Sequence, residues 1–275
     1  MKIIKHLFPE GKKKVLTLSY DDGVGQDIRL LKIFNKYALK ATFNINSGLQ
    51  FETQTWVNKG KLIKRINQSE IVELYRGHEV AVHSRTHPHL EDLPRETIIQ
   101  EIFEDRKQLE KWFGYIVRGM AYPYGTYNKL VLDVLTTLGI EYSRTVKQHE
   151  KFSLPENFLE WHPTCHHMNP KFMDISKEFV QTQFSGLSLF YVWGHSYEFD
   201  VEENWELIEE FSKLVSNRND IWYATNIEIV DYIKALKNLK VSVENSIIYN
   251  PSSISLWISV NDEVIEIKPG ESKQI

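Results

Sequence analysis

Acidic residues and histidines stand at the ends of two short apolar runs. The first run, residues 15–18, is soon followed by Asp21 and Asp22, and another run about sixty residues later ends at His83, with His87 four residues on. An ionised carboxylate that is buried without compensation costs several kcal/mol, so acids at the end of a buried strand indicate a metal ion or hydrogen-bonding partners. Two histidines and one carboxylate, with a position open for water, suit a catalytic Zn²⁺ or a similar divalent ion.

The two adjacent acids can have separate roles. Successive side chains of a strand point to opposite faces, so at a strand end one aspartate can bind metal while the other acts as a base. The simpler interpretations are a turn for Asp21-Asp22-Gly23 and a surface pair on a helix for His83 and His87. The combination favours a site, because both groups end predicted strands of an alternating β/α chain and would lie at one rim.

An alternation of strands and helices runs from about residue 15 to residue 239. The predicted strands are residues 15–18, 41–45, 79–82, 119–122, 141–146, 159–162, 188–193 and 221–224, and the predicted helices are residues 28–37, 69–75, 94–113, 129–138, 205–215 and 227–239. Seven or eight strands interleaved with helices predict a parallel α/β fold, with a barrel as its favoured closure. In such barrels the loops after the strands build the active site, where Asp21, Asp22, His83, Tyr124 and His195 fall.

The pattern changes after Lys240. Short strand-like runs occur at residues 241–243, 246–249, 255–260 and 264–267. The turn-forming pairs Asn-Pro, Asn-Asp and Pro-Gly follow the last three of them, a pattern typical of β-hairpins without helices. We therefore expect a barrel domain in residues 1–239 and a small antiparallel β appendage in residues 240–275, packed on the barrel because it is too small to form much of a core. A docking or stabilising role is the default for this appendage, and carbohydrate binding is the alternative.

Composition narrows the classes of protein. The 275 residues are 42% hydrophobic, with a formal charge of −4, so the chain can bury a full core but has no basic field for nucleic acid. Cys165 is the single cysteine, so no disulfide can form within the chain. We expect no membrane span and no signal-peptide segment, which predicts a cytoplasmic protein as written, or an extracytoplasmic one if the chain is trimmed from a longer protein.

Four motifs, in this order, resemble those of the polysaccharide deacetylases, also called the NodB-homology or carbohydrate esterase family 4 domain. They are Ser-Tyr-Asp-Asp-Gly at 19–23, His-Ser-Arg-Thr-His at 83–87, Ala-Tyr-Pro-Tyr-Gly at 121–125 and Val-Trp-Gly-His at 192–195. The likeness covers about residues 14–238. It implies a distorted (β/α) barrel and metal-dependent removal of acetyl groups from an N- or O-acetylated poly- or oligosaccharide.

The resemblance also implies a role for each motif residue. Asp21 would be the general base, and His195 would protonate the departing nitrogen or oxygen. The backbone N–H of Tyr124 would hold the oxyanion together with the metal. The metal would be Zn²⁺, with Co²⁺, Ni²⁺, Mn²⁺ or Fe²⁺ as alternatives, since such a site accepts several divalent ions. The residues implied as metal ligands are Asp22, His83 and His87.

The chain also departs from the family pattern. Many members carry an arginine two residues before the proline of the third motif, paired with a distant aspartate that orients the base, whereas this chain has Ala121. Arg118 is close in sequence, but its odd offset points it to the other face of the strand. The fourth motif, an aspartate and tryptophan pair, is not evident, and Trp161 is a candidate for lining the same groove. We therefore expect Asp21 to be tuned differently or the activity to be weak.

Candidate substrate contacts lie near these motifs. The segment 161–167 contains three histidines and a cysteine, but their spacing fits no standard zinc motif, so a loop that contacts substrate or merely packs is preferred. Glu198 is expected to orient His195, to bind substrate hydroxyls or to form a surface salt bridge. The residues expected to contact substrate are Trp161, Trp193, Glu198 and His166. Other aromatic residues that could stack on sugar rings or belong to the core are Trp56, Tyr197 and Trp222.

Two other functions remain open at this point. One is a barrel amidohydrolase that acts on a small non-sugar amide, for which we expect a closed pocket rather than an open groove. The other is a noncatalytic carbohydrate-binding protein that keeps the fold. The presence of both candidate catalytic groups, Asp21 and His195, beside a complete ligand set favours an enzyme.

Overall fold

A computed structural model describes residues 3–51 and 53–275. The strands are β1 (Ile4–Leu7), β2 (Lys14–Asp21), β3 (Thr42–Ile45), β4 (Thr55–Asn58), β5 (Lys61–Lys64), β6 (Glu79–Val82), β7 (Gly119–Ala121), β8 (Tyr142–Arg144), β9 (Cys165–His166), β10 (Ser188–Gly194), β11 (Ile221–Tyr223), β12 (Lys240–Val241), β13 (Ile247–Tyr249), β14 (Leu256–Val260), β15 (Glu263–Ile267) and β16 (Ser272–Gln274). The helices are α1 (Asp27–Lys36), α2 (Gln68–Leu74), α3 (Arg95–Phe113), α4 (Lys129–Thr137), α5 (Phe172–Gln181), α6 (Tyr197–Val201), α7 (Trp205–Val215) and α8 (Asn226–Lys237).

Eight parallel strands form the central sheet, seven of them in the order β8-β7-β6-β3-β2-β10-β9 and the eighth, β11, paired with β2. Strand β10 pairs along almost the whole of one edge of β2, while β11 and β3 pair with the first and second halves of its other edge. The sheet closes on itself because Arg144 in β8 forms a parallel bridge with Trp161, from which the chain continues into β9. The predicted distorted (β/α) barrel is confirmed.

Burial explains why these segments form a parallel barrel. Strands β2 and β10 are buried along their whole length, as expected for parallel strands covered on both faces. Helix α3 buries Ile98, Ile102 and Leu109 on one face and ends at Gly114, whose φ of 72° is the left-handed conformation that glycine adopts readily. No helix in residues 3–51 and 53–275 is both long and apolar enough to cross a membrane.

Three local features differ from the sequence-based expectations. Strand β2 extends to Asp21, so this residue ends the strand and Asp22 begins the loop. An antiparallel β4–β5 hairpin occupies a region expected to be a polar loop. The predicted strand at residues 159–162 is instead a 3₁₀ turn at Phe158–Glu160 followed by the single bridge of Trp161.

The C-terminal strands form two small sheets. Strands β12, β13 and β16 make one, while β14 and β15 make the other together with the N-terminal strand β1. Tyr232 of helix α8 joins this sheet to the barrel, because its hydroxyl donates to the carbonyl oxygen of Leu7 at 2.8 Å and accepts from the backbone N–H of Trp257 at 3.1 Å. Division of the chain into domains at residues 239 and 240 stays a prediction.

Candidate active site

Three candidate metal ligands, the front cluster Asp22, His83 and His87, lie together at one end of the barrel. The Nε2 atoms of the two histidines are 3.2 Å apart, and the ligand atoms of all three residues lie within 4.8 Å of one another. His83 Nδ1 is 2.8 Å from the carbonyl oxygen of Ala121. A carbonyl oxygen only accepts, so Nδ1 carries the ring proton and Nε2 keeps the lone pair that a metal ligand requires.

The end of β2 turns sharply to place its two acids. Asp22 has a φ of 84° and Gly23 a φ of 62°, an uncommon conformation for a residue with a side chain and one that recurs at functional sites. The backbone N–H of Asp22 donates to the carbonyl oxygen of Asn44 at 3.0 Å, which anchors the turn on β3. A Cβ at position 23 would lie 3.0 Å from Gln50 Nε2, so a larger residue is doubly disfavoured there.

Arg65 holds Asp22 through one of its two carboxylate oxygens. Its guanidinium lies 3.0 Å from Asp22 Oδ1 and donates both to the carbonyl oxygen of Asp22 and to Asn46 Oδ1. Burial alone would raise the pKa of Asp22, but Arg65 and the neighbouring histidines outweigh it and hold that pKa well below its usual range. The carboxylate is therefore ionised, with one oxygen paired to Arg65 and the other available as a ligand.

The loop after β6 brings the two front histidines together. Ser84 and His87 have φ values of 59° and 60°, so the segment is a tight loop, and the alternative of a surface helix is wrong. Asn46 donates to the carbonyl oxygens of His83 and Ser84 at 2.5 and 2.9 Å, and the Asp105 carboxylate accepts from the backbone N–H of His83 at 3.1 Å. These buried contacts give the loop one conformation.

Asp21, the candidate base, is held by its own partners. Its Oδ1 accepts from Asn44 Nδ2 at 2.8 Å, and its Oδ2 accepts from Arg144. The same Oδ2 lies 3.9 Å from His83 Nε2 and 3.8 Å from His195 Nε2. Burial would raise the pKa of Asp21, but the Arg144 guanidinium and the two histidines lower it below its ordinary value, so the carboxylate is ionised at neutral pH.

Arg144 supplies the arginine that the family pattern has at the position of Ala121. The two residues are register partners on the neighbouring strands β8 and β7, so their side chains leave the sheet side by side. Arg144 is fully buried, and its guanidinium lies 4.4 Å from the centre of the Trp193 ring. Arg118 instead pairs with Asp231 at 2.7 Å and Glu141 at 3.1 Å. The arginine beside Asp21 therefore comes from the strand next to the one where the family motif has it.

His195 stands on the other side of the two acids. Its Nε2 lies 3.8 Å from Asp21 Oδ2 and 3.9 Å from Asp22 Oδ2, while its Nδ1 lies 3.4 Å from Glu198 Oε1. Burial would lower the pKa of His195, but the contact with Glu198 and the charges of the three carboxylates raise it to about 9. The imidazole can therefore carry the proton that a general acid needs.

A second set of two histidines and one carboxylate, the rear cluster, lies behind His195. It consists of His166 and His167, which end β9 and begin the following loop, and Glu198 in helix α6. Both histidine Nε2 atoms are close to Glu198 Oε2, at 3.1 Å for His166 and 3.0 Å for His167. Glu198 and His166, which were expected to contact substrate, lie behind His195 and are not among the residues of the cavity wall.

The front cluster and both candidate catalytic residues line one cavity of about 530 Å³, whose walls are formed by Asp21, Asp22, His83, His87, Tyr122, Tyr124, Val146, Trp193, His195 and Tyr197. Tyr124 has a φ of 58°, and its half-exposed ring stacks on His89 with the ring centres 3.9 Å apart. Trp56 of the β4–β5 hairpin packs edge-on against Tyr197 at 5.6 Å, so the hairpin supports this wall.

Two tryptophans lie elsewhere. Trp161 is fully buried and packs against Tyr142 and Tyr191 inside the barrel, which corrects the expectation that it lines the groove. Its position before β9 places the large ring where the sheet closes. Trp222 packs against Phe8 and so belongs to the core rather than to a sugar-binding surface.

Sequence reasoning missed three residues of the site. Arg144 and Arg65 are fully or almost fully buried arginines beside Asp21 and Asp22, and an arginine in the apolar stretch before residue 146 was a signal that could have been followed. His167 was noted only as part of a histidine-rich segment. No spacing rule links Arg65 to Asp22, because their contact depends on where the hairpin returns the chain.

Comparisons with known proteins identify relatives of this chain. The sequence model of the polysaccharide deacetylase family matches residues 9–143. The peptidoglycan-N-acetylglucosamine deacetylase PgdA of Listeria monocytogenes is 29% identical over 138 residues, which are 49% of this chain and 27% of PgdA. The uncharacterized protein YlxY of Bacillus subtilis is 30% identical over 107 residues, 38% of this chain and 29% of YlxY. The chain thus spans less than a third of the length of these curated relatives.

A solved structure shows the same fold over more of the chain. The crystal structure of a presumed polysaccharide deacetylase from Mycobacterium smegmatis matches with a TM-score of 0.60 at 16% identity, over 85% of this chain and 94% of that chain. The family match includes the end of β2 and the loop after β6, which carry all three residues of the front cluster. Through this region, the chain belongs to the polysaccharide deacetylase family.

Proposed function

We propose that the chain is a metal-dependent hydrolase that removes acetyl groups from an N- or O-acetylated carbohydrate. One observation carries the proposal: a complete set of ligand atoms from Asp22, His83 and His87 lies in the same cavity as an ionised acid, Asp21, and a protonated base, His195. Membership of the polysaccharide deacetylase family supports acetylated carbohydrate as the substrate class.

The front cluster fits a divalent ion. His83 presents its unprotonated Nε2, and Arg65 occupies only one oxygen of Asp22. Two imidazole nitrogens and one carboxylate oxygen suit Zn²⁺, and also Co²⁺, Ni²⁺, Mn²⁺ or Fe²⁺. A bound ion would supply a Lewis acid for the acetyl carbonyl and would lower the pKa of water to about 7.

Asp21 and His195 supply the proton transfers. Asp21 is ionised and fixed by Arg144 and Asn44, so it can accept a proton from the attacking water. His195 lies 3.8 Å from that carboxylate and can deliver a proton to the nitrogen or oxygen that leaves the acetyl group. A metal ion bound by the front cluster would disfavour the charged imidazole and so would lower the pKa of His195. The Glu198 carboxylate, on the Nδ1 side of the ring, counteracts this effect.

Stabilisation of the oxyanion is the remaining requirement. In the proposal the backbone N–H of Tyr124, which lines the cavity, serves this purpose beside the metal ligands. Trp193 forms another part of the wall and provides an apolar surface for the acetyl group or sugar ring.

Acetate release and metal content, measured together, test the proposal. Wild type, Asp22→Ala and Asp21→Asn are loaded with Zn²⁺, dialysed, and assayed on N-acetylated and O-acetylated oligosaccharides and on small acetamides. We expect one equivalent of zinc in wild type and Asp21→Asn, less in Asp22→Ala, and acetate release from oligosaccharide only in wild type. Release from small acetamides alone would indicate an amidohydrolase, and stoichiometric zinc without any release would refute the proposed deacetylation.

A further inference from the structure

The rear cluster has the residue types of a metal site, so its hydrogen-bonding pattern decides its role. His166 Nδ1 accepts a hydrogen bond from the backbone N–H of Met168 at 3.1 Å. A ring nitrogen that accepts cannot also carry a proton, so the proton of the neutral His166 ring is on Nε2. This nitrogen faces Glu198 Oε2 at 3.1 Å as a donor and has no lone pair for a metal.

His167 also directs its Nε2 atom at Glu198. It is fully buried, and its ring stacks between Tyr20 and Phe199, with ring centres 5.5 and 4.2 Å away. Its Nδ1 has no partner and is pressed against Gly194, where a Cβ would come within 2.1 Å of it, while its Nε2 contacts Glu198 without the alignment of a full hydrogen bond. Its Nε2 is 3.0 Å from Glu198 Oε2, so the proton is favoured on the nitrogen that faces the carboxylate.

Glu198 is therefore surrounded by donors that fix it behind His195. Besides the two rear histidines, its Oε2 accepts from the backbone N–H of His195 at 3.0 Å, and its Oε1 lies 3.4 Å from His195 Nδ1. Both oxygens have partners, and the free nitrogen of the His195 ring, Nε2, points to Asp21 and Asp22.

We infer that His166, His167 and Glu198 are positioning residues that orient the His195 ring, and that the rear cluster holds no metal ion. The two histidines act through Glu198, against which each places its Nε2 atom at 3.0–3.1 Å. The role of His195 as the acid rests on the proposed function, whereas the tautomer of His166 and the number of metal ions do not.

Two measurements test the rear cluster without any substrate. Zinc content after loading and dialysis should be one equivalent in wild type, His166→Gln and His167→Gln. Two equivalents in wild type, falling to one in either variant, would overturn the inference. Long-range ¹H–¹⁵N NMR spectra of the zinc-loaded chain should show His166 as the neutral tautomer protonated at Nε2. A ring protonated at Nδ1, with Nε2 shifted by zinc, would also overturn it.

Kinetics test the positioning role. General acid catalysis contributes about 10²–10⁴-fold, so we expect Glu198→Gln to lower kcat about 100-fold and His166→Gln about tenfold, each with little change in KM. His78→Gln, a half-buried histidine outside the site, is the matched control and should leave kcat unchanged. Unchanged kcat in folded, zinc-loaded Glu198→Gln would refute positioning. If wild type releases no acetate, the proposed function fails while zinc content and the His166 tautomer still decide the inference.

Discussion

Two clusters of two histidines and one carboxylate lie close together and differ in which ring nitrogen of one histidine carries the proton. In the front cluster, His83 donates from Nδ1 to a backbone carbonyl, which leaves Nε2 free to bind a metal. In the rear cluster, His166 accepts at Nδ1 from a backbone N–H, which puts a proton on Nε2 and directs it to Glu198. The backbone partner of Nδ1, rather than residue type or spacing, separates the proposed ligand set from the proposed support of His195.

The largest expected effect is on zinc binding, compared between variants of one buried histidine from each cluster. His83→Ala removes a proposed ligand, so we expect zinc affinity to fall by more than the 10–100-fold that loss of an outer-shell partner costs. His167→Ala should retain one equivalent of zinc, because its nitrogens face Glu198 and Gly194. Metal analysis after dialysis measures both. Loss of zinc in His167→Ala with retention in His83→Ala would reverse the assignment of the clusters.

The next prediction concerns Arg144, the partner of Asp21. This aspartate lies between His83 of the front cluster and His195. Arg144→Met leaves the buried Asp21 without its cation, so we expect its pKa to rise and kcat to fall about 100-fold at neutral pH. Zinc content should not change. The double variant Ala121→Arg/Arg144→Met puts the arginine on the neighbouring strand, in register, and should recover part of the loss. Normal kcat in folded Arg144→Met would show that Asp21 needs no cation.

The rear cluster should also leave a signature in the pH dependence of stability. Burial lowers the pKa of His167 to about 4 from 6.5, despite the opposing contact with Glu198. Between these values the unfolded chain binds one more proton, so the free energy of unfolding falls as pH falls, by about 3 kcal/mol. Urea unfolding of the zinc-free chain should show a loss about 3 kcal/mol smaller in His167→Phe than in wild type, because His78 and His87 contribute equally to both.

A second histidine provides the control for that titration. Burial also lowers the pKa of His78 to about 4, so His78→Phe should remove a similar loss while leaving activity intact. Parallel stability curves for wild type and His167→Phe would mean that His167 is not held neutral in the folded chain.

The smallest effect tests how Gly194 and His167 fit together. Gly194→Ala places a methyl group against His167 Nδ1, and such overpacking costs about 1–3 kcal/mol of stability. Because His167→Ala removes the obstructing ring, the double variant should lose less stability than the sum of the two single variants. Urea unfolding measures this coupling. Strict additivity would show that the ring of His167 does not restrict position 194.

The barrel was predictable from the chain, and so was the grouping of the motif residues at one end. Strand ends of a parallel sheet meet at one rim, so the motifs at residues 21–22, 83–87 and 195 converge by topology. The hairpin at Thr55–Lys64 was missed because its two short strands are largely exposed and its turn is Lys59-Gly60 rather than the usual Asn-Gly or Asp-Gly. Trp161 was misplaced because one aromatic residue in a loop-like segment does not reveal which side of the barrel wall it enters.

Residue types and their order along the chain determined the class of fold, the candidate ligands and the family, because local periodicity and strand ends are written in consecutive residues. Only the tertiary structure decided which nitrogen of His83 and of His166 carries a proton, and that Arg144 on β8 rather than a residue of β7 pairs with Asp21. These choices depend on backbone carbonyl and N–H groups and on neighbouring strands that lie up to 123 residues away along the chain, and such contacts leave no local pattern.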